Sequence, residues 1–465
     1  MGLSTSCELD PFPTLLRDYL HVLMEPITSI INLSLHEGIF PDQFKKAYVK
    51  PLLKKPTLDK NELKNYRPVS NLSFVSKILE KVVASRLLSH MKMNSLSNEL
   101  QSAYKQFHST ESALLKVEND ILLNMDKGRV TALTLLDLSA AFDTIDHCTL
   151  VRRLSSWYGI SGIALEWFQS YLHDRSQQVK IQDNISDSVS ISFGVPQGSV
   201  LGPILFTLYT TPLSQIIADH QVQHHLYADD TQIYVALSAS EATESLRNLK
   251  YCVADVFTWM TDSKLKLNPS KTEFIIIGSK KQRGKFTTLF PFSLLDQDTV
   301  PTKSVRNLGV MFDCDFNFKR QIAQTCRICF YHIRDLRRIR KCLSLDVAKS
   351  IASALTTSHL DYCNSLLYNL PERDLGKLQR VQNCLARVVC KASRFSRSKP
   401  LLKSLHWLPI KYRIHFKMST ITFKALCFQQ PAYLFESLLA AKKYRLLRLS
   451  DTNMLFVPRV KTKWG

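Results

Sequence analysis

The spacing of apolar residues changes period near the end of the first third of the chain. Residues 132–138 are apolar except for Thr134 and Asp137, which predicts a strand buried on both faces in a sheet covered by helices. Beyond Asp137, Ile145, Leu150, Leu154 and Trp157 recur at roughly helical spacing until Gly159, which predicts a helix over residues 140–158. Asp143 and Asp146 then fall in its first turns, where acids suit the positive end of the helix dipole, a structural role. Further on, the runs Leu226-Tyr227-Ala228 and Ile233-Tyr234-Val235 flank Asp229-Asp230, as two strands joined by a tight turn would. Helical periodicity also marks Leu15, Leu16, Tyr19, Leu20 and Leu23, then residues 74–93, where Ile78, Leu79, Val82, Val83, Leu87 and Leu88 trace one face, and residues 109–125. Short strands are expected around Tyr48 to Leu53.

Composition adds a charge asymmetry. The 45% hydrophobic and 22% charged residues describe a globular protein with ample core. Of the 61 Lys and Arg and the 40 Asp and Glu, the segment from Lys319 onward holds 29 and 7, leaving 32 and 33 before it. The net charge of +21 therefore resides in the C-terminal third, which suits a phosphate backbone. There Arg334, Arg337, Arg338, Arg340 and Lys341 alternate with Ile333, Leu336 and Ile339, predicting a helix with one cationic and one apolar face.

Eleven cysteines without paired spacing, and no secretory leader, point to free thiols in a reducing compartment. Cys326 and Cys329, followed by His332, sit in a helical pattern and read as buried small residues rather than zinc ligands. Residues 188–218 are uncharged and long enough to span a membrane, but Pro196, Pro203, Pro212 and many hydroxyls argue against a spanning helix. Residues 278–285 read as a basic loop.

Two features carry chemistry. Adjacent carboxylates at Asp229 and Asp230 repel each other unless they form an exposed turn or bind a divalent cation, and Asp137 at the end of a buried strand needs a partner for the same reason. Gly194-Val-Pro-Gln-Gly-Ser199 predicts a turn that exposes backbone and the amide of Gln197, with Ser199 placed to cap the following helix, an arrangement able to receive a nucleotide or template base.

The order Leu136-Asp-Leu-Ser-Ala-Ala-Phe-Asp143, then Gly194-Val-Pro-Gln-Gly-Ser199, then Tyr227-Ala-Asp-Asp230 resembles the successive palm motifs of reverse transcriptases of non-LTR (LINE-type, jockey-like) retrotransposons. Asn65-Tyr-Arg-Pro-Val-Ser-Asn71 with Lys77-Ile-Leu-Glu-Lys81, and Gln101-Ser-Ala-Tyr-Lys-Gln-Phe-His-Ser-Thr110, look like the two fingers motifs. Leu267-Asn-Pro-Ser-Lys-Thr-Glu273 is similar to the motif after the catalytic hairpin, and Asn307-Leu-Gly-Val-Met-Phe-Asp313 to the primer grip. Leu401-Leu-Lys-Ser-Leu-His-Trp-Leu-Pro409 resembles the region beyond the polymerase core in vertebrate-type elements.

The resemblance implies an α+β, right-hand polymerase: an N-terminal helical extension (1–34), fingers and palm with an antiparallel sheet plus helices (35–313), a helical thumb (314–390) and a basic extension (391–465). It implies an RNA-directed DNA polymerase working with two Mg²⁺ ions, Mn²⁺ being an alternative, held by Asp137, Asp229, Asp230 and the carbonyl of Leu138. Arg67, helped by Lys55, would meet the triphosphate. Ala141, Phe142, Gln197 and Gly198 would line the nucleotide site, Phe142 excluding the 2′-hydroxyl unless it is a core aromatic, and Lys271 would donate a proton to pyrophosphate.

Expected partners are RNA template, DNA primer and dNTPs, with no membrane and with the element's own RNA as a ribonucleoprotein of cytoplasm and nucleus. Two positions depart from the pattern: Lys105 stands where Arg is usual and Phe107 where Gly is expected. The chain reads as a fragment of an element, lacking the endonuclease that normally precedes the polymerase. The alternatives are a catalytically silent or host-adopted RNA-binding remnant and, disfavoured by Phe142 and Ala228, an RNA-directed RNA polymerase.

Overall fold

A buried strand needs cover on both faces, and β3 (Val130–Leu136) receives it. In a computed structural model describing residues 19–139, 142–268, 271–295 and 297–440, β3 is central in an antiparallel sheet of order β11-β3-β9-β8. Its neighbours are β9 (Asp230–Leu237) and β11 (Glu273–Ile277), and β8 (Gln223–Tyr227) pairs with the outer side of β9. The strand ends at Leu136, one residue before Asp137, whereas the apolar run suggested an end at 138. Helix α3 (Thr110–Asp126) supplies Leu114, Val117, Ile121 and Met125 to the core that holds Leu133, Tyr234, Ile275 and Ile277. Inside that core Tyr234 donates to Asp120 at 2.5 Å and Lys116 pairs with the same carboxylate at 2.6 Å, so the buried hydroxyl and acid are satisfied.

The described residues divide into two compact, interleaved units. The first takes the described residues of 19–98, 137–216 and 255–268. It contains α1 (Leu20–Glu37), β1 (Lys46–Leu53), β2 (Tyr66–Asn71) and α2 (Phe74–Met93). β4 (Leu138–Ser139), α4 (His147–Ser156), α5 (Ile163–Leu172) and β5 (Arg175–Ile181) follow, with the short β6 (Asn184–Ile185) and β7 (Val189–Ile191). β1 pairs antiparallel with β2 and parallel with β5, and β4 pairs with β10 (Lys266–Leu267). Helices α6 (Leu201–Thr210) and α7 (Pro212–Asp219) form the apolar stretch long enough to cross a membrane, but Leu201, Leu205, Phe206, Tyr209, Leu213 and Ile217 are buried, as in a core helix pair.

The second unit takes the described residues of 99–136, 217–254 and 271–440. Besides the β3 sheet it holds the hairpins β12 (Phe292–Leu294) with β13 (Gln297–Thr299) and β14 (Ser304–Asn307) with β15 (Val310–Asp313). Helix α8 (Ala242–Asp262) starts in it, and α9 (Lys319–Ile339), α10 (Leu345–Ala352), α11 (Glu372–Val389), α12 (Ser398–Ser404), α13 (Ile410–Phe428) and α14 (Ala432–Ala440) complete it. Ile322, Leu336 and Leu385 of the segment expected as a thumb, and Leu405 and Ile414 of that expected as a basic extension, share one apolar cluster with Leu114 and Leu133. Residues 278–285, expected to be a loop, contain a helical turn, Lys280–Arg283, capped by Ser279, and Arg283 pairs with Asp315 at 2.6 Å.

Candidate active site

Asp229 owes its position to the tightness of the hairpin. Tyr227 pairs with Asp230 across β8 and β9, so Ala228 and Asp229 alone make the turn: Ala228, expected in the first strand, lies in the turn, and Asp230, expected in the turn, opens β9. Ala228 sits at φ +55°, a left-handed conformation that costs a residue with a Cβ roughly 1 kcal/mol. Asp229 is half-buried and Asp230 exposed. The charge of Asp229 reaches Tyr104, whose hydroxyl pKa is raised first by burial and then by that carboxylate. On the neighbouring strand Leu136 stands opposite Thr231, and Asp137 is the next residue in the chain.

The main chain after Asp137 is held within the first unit. Asn268 N donates to Asp137 O at 3.0 Å, and Leu138 lies opposite Leu267 in the β4–β10 ladder. Ala141 lies outside the described residues. Phe142 is half-buried, its ring centroid 4.9 Å from that of Phe206 on α6. The helix expected from residue 140 begins at His147: the Asp146 carboxylate caps it, accepting from Thr149 N at 2.7 Å. Asp143 therefore lies outside the helix, and both its oxygens accept from Nε2 of Gln197, at 3.0 and 2.9 Å.

Gln197, expected to offer its amide to a nucleotide or template base, is thus engaged by Asp143. Its carbonyl accepts from Ser70 N at 2.7 Å, which brings the turn against β2. That approach explains Gly198, at φ +119°, where a Cβ would meet Ser70 O at 2.7 Å. Ser199 accepts from Gly202 N at 2.9 Å, the expected cap, and a second cap comes from Glu80. The Glu80 carboxylate, with its pKa raised by burial, accepts from Val200 N at 2.6 Å and Leu201 N at 3.0 Å, an acid at the positive end of α6. Arg67 on β2, opposite Leu52, and Lys55 in the turn after β1 are both exposed in the first unit. Lys271 is exposed in the second.

Two groups near the turn were not singled out from sequence. The side chain of Gln101 bonds to both main-chain groups of Ala228, and Ser102 bonds to His225 Nε2 at 2.8 Å. Burial lowers the His225 pKa to about 3, keeping it neutral. Lys105, also partly buried, is lowered to about 8. Phe107, where Gly was expected, adopts φ +66° and stacks on Phe428 with ring centroids 4.6 Å apart. In the hairpin β14–β15, Asn307 donates to Gln232 of β9 at 2.7 Å, and Tyr362 donates to Leu308 O at 2.7 Å.

In the basic third, Arg334, Arg337 and Arg338 are exposed, but Arg340 is buried and donates to the carbonyls of Val389 and Leu343, while Ile339 is exposed. The cationic face therefore excludes Arg340, because α9 ends at Ile339 and the tighter turn that follows rotates the next side chain inward. Cys329 is buried with its thiol 3.8 Å from Thr356 O, and His332 stacks on His359.

Among the described residues no group of three or more His, Cys, Asp and Glu side chains forms a ready-made metal cage. Hard carboxylates on a tight, partly open turn fit Mg²⁺ nonetheless, because that ion keeps water and takes substrate phosphates instead of requiring an all-protein shell.

The family model for Reverse transcriptase (RNA-dependent DNA polymerase) matches residues 53–312. The chain is 28% identical over 326 residues to the Probable RNA-directed DNA polymerase from transposon BS of Drosophila melanogaster, covering 66% of this chain and 34% of that protein. It is 25% identical over 382 residues to the RNA-directed DNA polymerase from mobile element jockey of Drosophila funebris, covering 80% and 40%. Among solved structures, apo telomerase from Candida Tropicalis aligns with 89% of this chain and 74% of its own at 12% identity and a TM-score of 0.45. The chain spans 34% to 40% of the length of these two curated relatives.

Proposed function

The chain belongs to the reverse transcriptase family, and from that premise we propose that it is an RNA-directed DNA polymerase of a non-LTR retrotransposon, extending a primer 3′-hydroxyl with dNTPs on an RNA template. One observation carries the reading: inside the matched region, Asp229 lies in a two-residue hairpin turn and Asp230 opens the strand that follows it, that strand is paired with β3, and Asp137 follows β3 directly.

Those three carboxylates and the Leu138 carbonyl would hold divalent metal, which the family generally uses. Bound Mg²⁺, in a pair, would lower the pKa of the attacking hydroxyl and offset the charge of the triphosphate. The chain's own part is placement. Arg67, with Lys55, would hold the triphosphate through a guanidinium fork that matches phosphate geometry. Gln197, held by Asp143, and Gly198, bare of a side chain, would form one wall of the nucleotide site, joined by Ala141. Phe142, braced by Phe206, would leave no room for a 2′-hydroxyl. Lys271 would protonate the leaving pyrophosphate.

Template and primer would lie against the exposed arginines of α9. In the cell the chain would act in an intracellular ribonucleoprotein with its element's RNA, entering the nucleus. Purified chain with a primed homopolymer RNA, Mg²⁺ and either dNTPs or rNTPs tests the reading. Incorporation of dNTPs alone supports it. Incorporation of rNTPs would make it an RNA polymerase, and RNA binding without incorporation would make it a silent remnant.

A further inference from the structure

Residues 100–102 run beside β8. Leu226 N donates to Leu100 O at 2.9 Å, Ser102 N donates to Leu226 O at 3.0 Å, and Gln101 forms a parallel bridge with Leu226. The pairing leaves Gln101 only 3% exposed. Its Oε1 accepts from Ala103 N at 2.9 Å, which fixes the amide orientation, and from Ala228 N at 3.0 Å, while Nε2 donates to Ala228 O at 3.4 Å. A buried amide is thus spent on both main-chain groups of one residue, and that residue is the left-handed Ala228. A strained conformation persists only where its surroundings over-determine it, and such residues cluster where geometry matters for function.

We propose that Gln101 is the positioning residue of the Tyr227-Ala228-Asp229-Asp230 turn. It holds Ala228 left-handed and so fixes where Asp229 and Asp230 present their carboxylates. Nothing in the family match or the charge pattern assigns it this role, and it rests on the polymerase reading only for its effect on turnover. The clamp is itself anchored, because the neighbouring Ser102 shares hydrogen bonds with His225 and with Tyr433 of α14.

The test compares Gln101→Met, which keeps length but bonds to neither group, with Gln101→Glu, which keeps an acceptor for the Ala228 and Ala103 amides. Hydrogen exchange of residues 226–231 should speed at least fivefold in Gln101→Met and stay within twofold of wild type in Gln101→Glu, with residues 130–136 unchanged in both. This readout requires no polymerase activity, so it stands even if the polymerase reading fails. Where wild type extends primers, Gln101→Met should lower kcat at least tenfold with KM for primer–template within twofold. Equal exchange in Gln101→Met and wild type overturns the clamp, as does equal loss in both variants or loss spread across the whole β3 sheet. A kcat within twofold of wild type in Gln101→Met overturns its bearing on turnover.

Discussion

The hydroxyl of Tyr433 lies 2.9 Å from that of Ser102, 331 residues earlier in the chain. Tyr433 also donates to Ser112 at 3.1 Å, and Phe428 of the preceding helix stacks on Phe107. The segment from Gln101 to Thr110 is therefore held by the last described helices of the second unit. Replacing Tyr433 by Phe keeps the ring and removes the hydroxyl, which should cost about 1 kcal/mol, visible as a lower denaturant midpoint at constant slope. An unchanged midpoint would mean that the two serines are satisfied without it.

Removing residues 391–465 is expected to unfold the second unit instead of trimming a separable tail. The deletion takes Leu402, Leu405, Ile410, Ile414 and Tyr433 out of the core. Large apolar side chains contribute about 1.5–3 kcal/mol each on burial, and total stability is commonly only about 5–15 kcal/mol. Circular dichroism melting of the truncated chain should show no cooperative transition. A native-like melt would make the segment a module after all.

RNA affinity is better probed by Arg334→Gln, Arg337→Gln and Arg338→Gln together, since all three are exposed while Arg340 supports the fold. Each arginine that neutralises a phosphate in the wild type should, once replaced, flatten the slope of log affinity against log salt by roughly 0.7 to 0.9. Filter binding at several salt concentrations reads this, and an unchanged slope would leave α9 as a solvated face.

Lys105 gives the protein a pH dependence that Arg would not. Burial holds its pKa at about 8, below the usual lysine value of 10.5. Above about 8 the folded side chain is neutral while the unfolded one keeps its proton until near 10.5, so its contribution to stability rises with pH over that window, and its attraction for phosphate fades. Primer–template affinity of the wild type should fall from about pH 7.5 to about pH 9 more steeply than that of Lys105→Arg. Parallel profiles would place Lys105 away from nucleic acid.

The β8–β9 hairpin is legible because two apolar runs flanking a polar pair are a local signal, although the pair that makes the turn is Ala228-Asp229 and not Asp229-Asp230. So was α3, whose start is set by the reciprocal bonds of Ser109 and Ser112. Glu80 and Gln101 were not legible as partners, since their bonds span 120 and 127 residues and involve backbone groups that any sequence carries. Asp146 reads from sequence as a first-turn acid because spacing alone does not separate a cap from the turn it caps. Asp143, bonded to Gln197 across 54 residues, was misplaced in the helix for the same reason. Arg340 falls on the cationic face by periodicity but not in the structure, because the helix ends before it and only the turn geometry reveals that end.

Primer extension by Asp229→Asn on a primed RNA template with dNTPs and Mg²⁺ bears most directly on the assignment. Asn keeps the shape and removes the charge that a divalent cation requires, so the fold and RNA affinity should be retained while extension falls below about 1% of wild type, a transition-state loss of roughly 3 kcal/mol or more. Extension above a few per cent of wild type, in a variant with an unchanged melt, would contradict the assignment of Asp229 as a metal-binding carboxylate.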